Sequence, residues 1–304
     1  MQPCSSEIYA RPHFSVYCNL CLVAVLSALL LVLAGCGGAA SATQPQTPIA
    51  QPSQPAGSGS SDSGSDSQPS SSGSNLSSSE IPGVPAGAQT ISAVQTLPNW
   101  QWCTARLNGH VCASGQGNAT SSMTANQATP SLSGRSSVFH LGGATAYSNA
   151  LWWKSFGPNN TPKHFVYDLY FYMKEPTAPE ALEFDINQSM GGTRYTWGTE
   201  CSYRDTGFWD IWNDETQRWE TTTVPCPVVS ADTWHHLTWQ VERVNGQVHY
   251  ISVTLDGDVS TVDKYYTSQH GWNGNGVNVA FQMDGDYRQD AYSVWLDNVS
   301  LSTW

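Results

Sequence analysis

Positive charge is scarce in this chain. Lys and Arg number 12 against 24 Asp and Glu. Proteins that hold nucleic acid neutralise phosphates with basic patches, so that partner class is excluded. The same imbalance disfavours an acidic polysaccharide and leaves neutral polymers. Helical periodicity is a second absence: no segment sustains apolar residues at three- and four-residue intervals. A third is C-x-x-C from residue 93 onward, where the histidines are also scattered. That excludes the common zinc sites. Large apolar side chains are almost missing between residues 37 and 90, so this stretch cannot offset its ordering entropy by burial.

What is present divides the chain into three parts. Residues 1–35 hold an apolar run, Leu20 to Ala34, preceded by Arg11 and followed by Gly35-Cys36. The run is short for a membrane span and right for the apolar core of a signal peptide. Residues 36–92 read as a tether of Ser, Gly, Pro, Gln and Ala. About 55 such residues reach roughly 40 Å from their anchor. Residues 93–304 hold all 13 tryptophans and form the folded domain. It has 20 Asp and Glu against 11 Lys and Arg, and is long enough for one core. Its four cysteines suit disulfides in an exported chain, and proximity pairs Cys103 with Cys112 and Cys201 with Cys226. Nothing calls for an oligomer, and a monomer is expected.

The fold class is all-β. Short strands are expected at Val138–Leu141, Asn149–Phe156 and Phe165–Met173. Others are expected at Ala181–Gln188, Thr193–Tyr203 and Gly207–Trp212, and Thr216–Cys226 reads as a strand or a loop tied back by the second disulfide. The series closes with Trp234–Arg243, Gln247–Leu255, Val277–Asp284 and Ala291–Ser302. Asn245-Gly246 and Asp256-Gly257 are hairpin turns. Many strands joined by Gly and Asn turns predict a two-sheet antiparallel sandwich. Trp239 and Trp295 are expected in its core.

The stretch Ala181-Leu182-Glu183-Phe184-Asp185-Ile186-Asn187-Gln188 is the candidate site. It alternates with period two, setting Leu182, Phe184 and Ile186 against Glu183, Asp185 and Asn187. Two carboxylates roughly 7 Å apart on one face raise each other's pKa. Expected ligand contacts are Glu183, Asp185, Asn187, Gln282 and Asp284, with Tyr195, Trp197, Trp209 and Trp212 offering ring faces. Asp284, Asp286 and Asp290 form an oxygen-rich loop of the kind that holds calcium, without EF-hand spacing. A structural calcium is therefore the one cofactor considered.

Two resemblances extend this reading. Leu33-Ala34-Gly35-Cys36 resembles the lipobox of bacterial lipoproteins. It implies cleavage before Cys36, a diacylglycerol on that sulfur, and anchoring to a bacterial membrane at the outer surface or in the periplasm. Trp234-His235-His236-Leu237, the hairpin ending at Asp256-Gly257, and Val294 to Leu301 resemble the laminin-G-type segment of the concanavalin A-like lectin/glucanase superfamily. That resemblance covers residues 135–304 and implies a jelly roll with ligands across its concave sheet. The family holds both sugar-binding modules and polysaccharide-cleaving enzymes, so it leaves the activity open.

Glu183-x-Asp185 matches the start of the E-x-D-x-(x)-E signature of laminarinase-like glycoside hydrolases, where Glu183 would be the nucleophile and Asp185 its support. Asn187 or Gln188 stands where the proton donor belongs, and an amide cannot donate that proton. Asp168 or Asp284 is the replacement considered. The expectation is accordingly a surface-anchored module binding a neutral polysaccharide, leaning away from an enzyme. The alternatives are a glycoside hydrolase or polysaccharide lyase, and a structural adhesion module that binds protein.

Overall fold

The computed structural model describes the chain from Ile81 to Trp304, except residues 82, 105, 108, 109, 112–114 and 116–118. The expected leader, the Cys36 lipobox, nearly all of the tether and Cys112 lie outside the described residues. Strands follow one another with one short interruption. The first five are β1 (Gln89–Ile91), β2 (Gln101–Thr104), β3 (Arg106–Leu107), β4 (His110–Val111) and β5 (Ala119–Gln127). Then come β6 (Ser136–Gly143), β7 (Asn149–Ser155), β8 (His164–Met173), β9 (Pro179–Met190) and β10 (Thr193–Trp197). Next are β11 (Thr199–Cys201), β12 (Phe208–Asn213), β13 (Arg218–Pro225), β14 (Thr233–Val244) and β15 (Gln247–Leu255). The last are β16 (Asp258–Thr267), β17 (Gln269–His270), β18 (Gly276–Gly285) and β19 (Tyr292–Thr303). A single turn of 3-10 helix at Val94–Thr96 is the interruption.

Two antiparallel sheets carry all of these strands except β3 and β4, which pair with each other. The first runs β16-β15-β14-β8-β19-β6-β5, with β1 also on β19. The second runs β13-β12-β11-β9-β18-β7-β2, with β10 on β9 and β17 on β10. The expected all-β sandwich is the architecture observed. Its core follows from period two: in β8, Phe165, Tyr167, Leu169, Phe171 and Met173 all turn inward, as do Val277, Val279, Phe281 and Met283 in β18. Rings bridge the layers. Phe139 of β6 meets Phe281 of β18 at 5.0 Å, Phe165 meets Trp197 at 5.0 Å, and Trp239 meets Trp209 at 5.2 Å. Each such pair adds about 0.5–1.5 kcal/mol to its area burial.

Four expectations are corrected. The fold begins before residue 93: β1 pairs with β19, and Ile81 and Val84 pack on Val166. Thr193–Tyr203 is two strands, β10 and β11, separated at Gly198. The edge strands β5 and β16 were not anticipated. Their sequences, ATSSMTANQ and DVSTVDKYYT, alternate weakly because an edge strand buries little. Trp295 is not core. Its neighbours Val294 and Leu296 point inward, so Trp295 faces outward against Tyr172, with the Lys174 ammonium 5.7 Å from its ring.

Candidate functional site

The candidate strand is β9, and it lies in the interior of the second sheet between β11 and β18, with β10 along its C-terminal half. Leu182, Phe184 and Ile186 enter the core. Glu183, Asp185 and Asn187 therefore lie on the outer face, as the alternation predicts. Register then builds a row across that face. Asp210 of β12 stands opposite Glu200 of β11, Glu200 opposite Glu183, and Glu183 opposite Gln282 of β18. Leu151 of β7 and Cys103 of β2 continue it. Directly paired residues hold their Cβ atoms about 4.5–5.5 Å apart. Three carboxyl groups and an amide thus stand side by side on four adjacent strands. Gln282 Nε2 donates to Glu183 Oε1 and, at 2.9 Å, to Asp284 Oδ1.

A second row lies one step along β9. Asp185 is opposite Ala280, and Ala280 is opposite Trp153. On the other flank Trp212 hydrogen-bonds through its amide to Gly198 O at 3.0 Å, and its ring meets Trp219 edge-on at 5.5 Å. Gly198 is what lets this happen. A Cβ there would lie 2.9 Å from Trp212 Cβ and 3.3 Å from the Trp219 ring. Tyr250 holds the break from beneath: its hydroxyl lies 2.9 Å from Trp212 O, 3.2 Å from Gly198 O and 3.3 Å from Thr196 O. A third row carries Asn187, which donates to Asn278 Oδ1 at 3.2 Å and accepts from Arg194 Nη2 at 3.0 Å. The Arg194 guanidinium also lies over Trp272.

The electrostatics are those of a buried acidic face. Burial pushes Asp185 above the ordinary carboxylate range, to about 7, against the Thr199 amide at 3.0 Å and the Arg194 charge, which both lower it. Asp214 is raised to about 7 for the same reason, opposed chiefly by the Thr196 amide at 3.0 Å. Glu183, Glu200 and Asp210 are 5%, 2% and 2% exposed. These acids form the floor of that face.

Several expected contacts lie elsewhere. Tyr195, Trp197 and Trp209 belong to the core and offer no ring face to a ligand. Trp197 is closed off between Phe165 and Tyr195, with Nε1 donating to Glu242 O at 3.2 Å. Trp212 stays on the outer face, joined there by Trp153 and Trp219, which the sequence reading did not single out. It also missed Glu200 and Asp210. TEC and FWDIWN do alternate, but only the pairing of β11 with β9 puts those acids beside Glu183. Asp168 cannot serve as the replacement acid, because it lies in the first sheet, held by His236 Nε2 at 2.8 Å and Thr238 Oγ1 at 2.5 Å.

The acidic loop does not gather into a metal cage. Asp286 is bound by Arg204 Nε at 3.3 Å and by the Arg288 and Gln289 amides at 2.8 and 3.1 Å, while Asp290 pairs with Arg288 at 3.0 Å. Among the described residues no three His, Cys, Asp or Glu side chains are grouped to hold a metal. Cys201 and Cys226 form the expected disulfide, Cα–Cα 5.5 Å, tying β11 to the end of β13. Cys103 is disulfide-bonded, and its expected partner Cys112 is outside the described residues.

No family model matches this chain, and no curated protein does. Among solved structures, a carbohydrate-binding module of the β-sandwich superfamily is 12% identical with a TM-score of 0.35, over 67% of this chain and 57% of that one. The alginate lyase Aly36B is 11% identical with a TM-score of 0.39, over 54% and 80%. The cellulose-induced protein Cip1 is 13% identical with a TM-score of 0.42, over 69% and 96%. At TM-scores below 0.5 these likenesses carry no argument about the site.

Proposed function

We propose that this domain recognises a neutral polysaccharide on the outer face of its second sheet, held away from a bacterial membrane by its tether and a lipid on Cys36. One observation carries the reading: the row Asp210–Glu200–Glu183–Gln282, flanked by Trp153 and Trp212. Carboxylates and amides accept and donate hydrogen bonds to vicinal hydroxyls, while indole faces take the apolar face of a pyranose. The acid-rich composition fits a ligand without negative charge.

A second reading is favoured by one pairing. Glu200 stands opposite Glu183, where the linear signature offered only Asn187 or Gln188. Retaining glycoside hydrolysis uses two carboxyl groups about 5–5.5 Å apart, one as nucleophile and one as acid and then base. Facing strands supply a spacing of that order. In this reading Glu183 attacks the anomeric carbon and Glu200 protonates the leaving oxygen. Asp185, with its raised pKa, lies one step along the same strand face as Glu183.

The deciding experiment is a panel of neutral polysaccharides incubated with the purified chain and read for both retention and released reducing ends. Retention without product supports recognition alone. Product that disappears in Glu183→Gln and in Glu200→Gln supports hydrolysis. Neither retention nor product across the panel ends both readings.

A further inference from the structure

The opposite face of the sandwich, in the first sheet, contains a cavity that the reading above does not use. It has a volume of about 90 Å³, and its lining includes Ser92, Thr96, Arg135, Asp168, Asn298 and Ser300. A water needs roughly 10–15 Å³ measured this way, so the space exceeds a single bound water several-fold. Those six side chains are polar, and Ser133, Ile81 and Ala93 complete the lining. Of the six, three carry hydroxyls, one an amide, one a carboxylate and one a guanidinium.

Two groups lining it are incompletely bonded. Ser300, 6% exposed, has a buried Oγ with no hydrogen-bond partner. Asp168, 2% exposed, spends one oxygen, Oδ2, on His236 and Thr238, while among the described residues Oδ1 takes no hydrogen bond. The buried Ser300 hydroxyl costs free energy unless something satisfies it. At the rim, Arg135 is exposed and its guanidinium makes no ion pair among the described residues. Beside the cavity, Tyr170 shares the outer face of β8 with Asp168 and stacks on the His236 ring at 4.3 Å, 3° from parallel.

We propose that this cavity is a second binding site, for a single pyranose ring of a neutral sugar. Asp168 Oδ1 accepts from a pair of adjacent sugar hydroxyls, Ser300 gains the partner it lacks, and Arg135 and Asn298 close the rim. The class follows from the lining. A dense set of hydroxyl, amide and carboxylate groups around a ring-sized space matches a polyol, and the Asp168 charge opposes an anionic sugar. The site stands on the other sheet from the Glu183 row and does not depend on that row's role.

The test is saturation-transfer NMR on the full chain with glucose, galactose, mannose and N-acetylglucosamine as probes. Transfer to at least one is expected. Ser300→Ala should weaken it roughly three- to tenfold, the loss of one net hydrogen bond, while leaving the melting temperature unchanged or raised, since it removes an unpartnered hydroxyl. Ser92→Trp should fill the cavity and weaken transfer at least as far as Ser300→Ala does. Absence of transfer to all four sugars in the wild type overturns the site and leaves a cavity occupied by water only. Transfer undiminished by both Ser92→Trp and Ser300→Ala also overturns it, because the sugar then sits elsewhere. Retention on polysaccharide by these two variants tells a failure here from a failure of the polar face.

Discussion

At the residue scale, parity along a strand separates the outer face from the core. Trp197 and Trp212 look alike in sequence, yet one is fully buried in the core and the other lies on the outer face. Trp197→Ala is therefore expected to cost about 3–5 kcal/mol of stability, read by chemical denaturation, with no specific effect on glycan retention. Glu200→Gln should abolish any hydrolysis while leaving retention within a few-fold, because the amide still hydrogen-bonds to hydroxyls but holds no transferable proton. Asp185 and Asp214 make stability depend on pH. Both carboxyl groups are raised from 3.8 to about 7 in the fold. Between those values the native state binds protons that the unfolded chain does not. Stability therefore falls as pH rises from about 4 to about 7, then levels off. Melting temperatures should be higher at pH 5 than at pH 8, and Asp214→Asn should flatten that slope.

At the scale of elements, two devices hold the outer face of the second sheet and the loop opposite it. Gly198 ends β10 and starts β11 where no Cβ fits beside Trp212 and Trp219. Gly198→Ala is expected to cost about 1–3 kcal/mol by overpacking and to disturb both indoles, visible as a change in near-ultraviolet circular dichroism. Asp297 in β19 fastens the loop between β5 and β6. Burial alone would raise its pKa, but hydrogen bonds from the Ser131 and Ser133 hydroxyls at 2.6 Å and from the Ser133 and Asn298 amides hold it below the ordinary carboxylate value. Asp297→Ala should loosen residues 131–136, giving faster amide exchange there and a lower denaturation midpoint. The Leu-Asp-Asn pattern of the closing strand thus has a physical role that its resemblance alone did not supply. The two histidines of the Trp-His-His strand are similarly tied, His235 to Asp256 at 2.7 Å and His236 to Asp168 at 2.8 Å.

At the scale of the whole molecule, the proposal joins an anchor, a spacer and a sandwich with a polar face on each side. Cys36→Ser should release the protein from membranes into the soluble fraction. Continued sedimentation with membranes would refute the lipobox reading. Two sugar-recognising faces on one tethered domain would let a single anchored chain engage a polymer at two points, with an effective concentration set by their separation.

The sequence by itself determined the class of the fold, most strands, the hairpin turns and the sidedness of β9, because period-two alternation and turn chemistry are local. It located the inner strands best, since those bury one whole face, and it missed β5 and β16 at the edges, where little is buried. Tertiary structure alone decided which strands are neighbours. That choice placed Glu200 and Asp210 beside Glu183, sank Tyr195, Trp197 and Trp209 into the core, and turned Trp295 outward. Pairing register depends on contacts between residues far apart in the chain, and a one-residue shift reverses every side chain. The second carboxyl group was present in the sequence all along, on a three-residue strand whose neighbour only folding reveals.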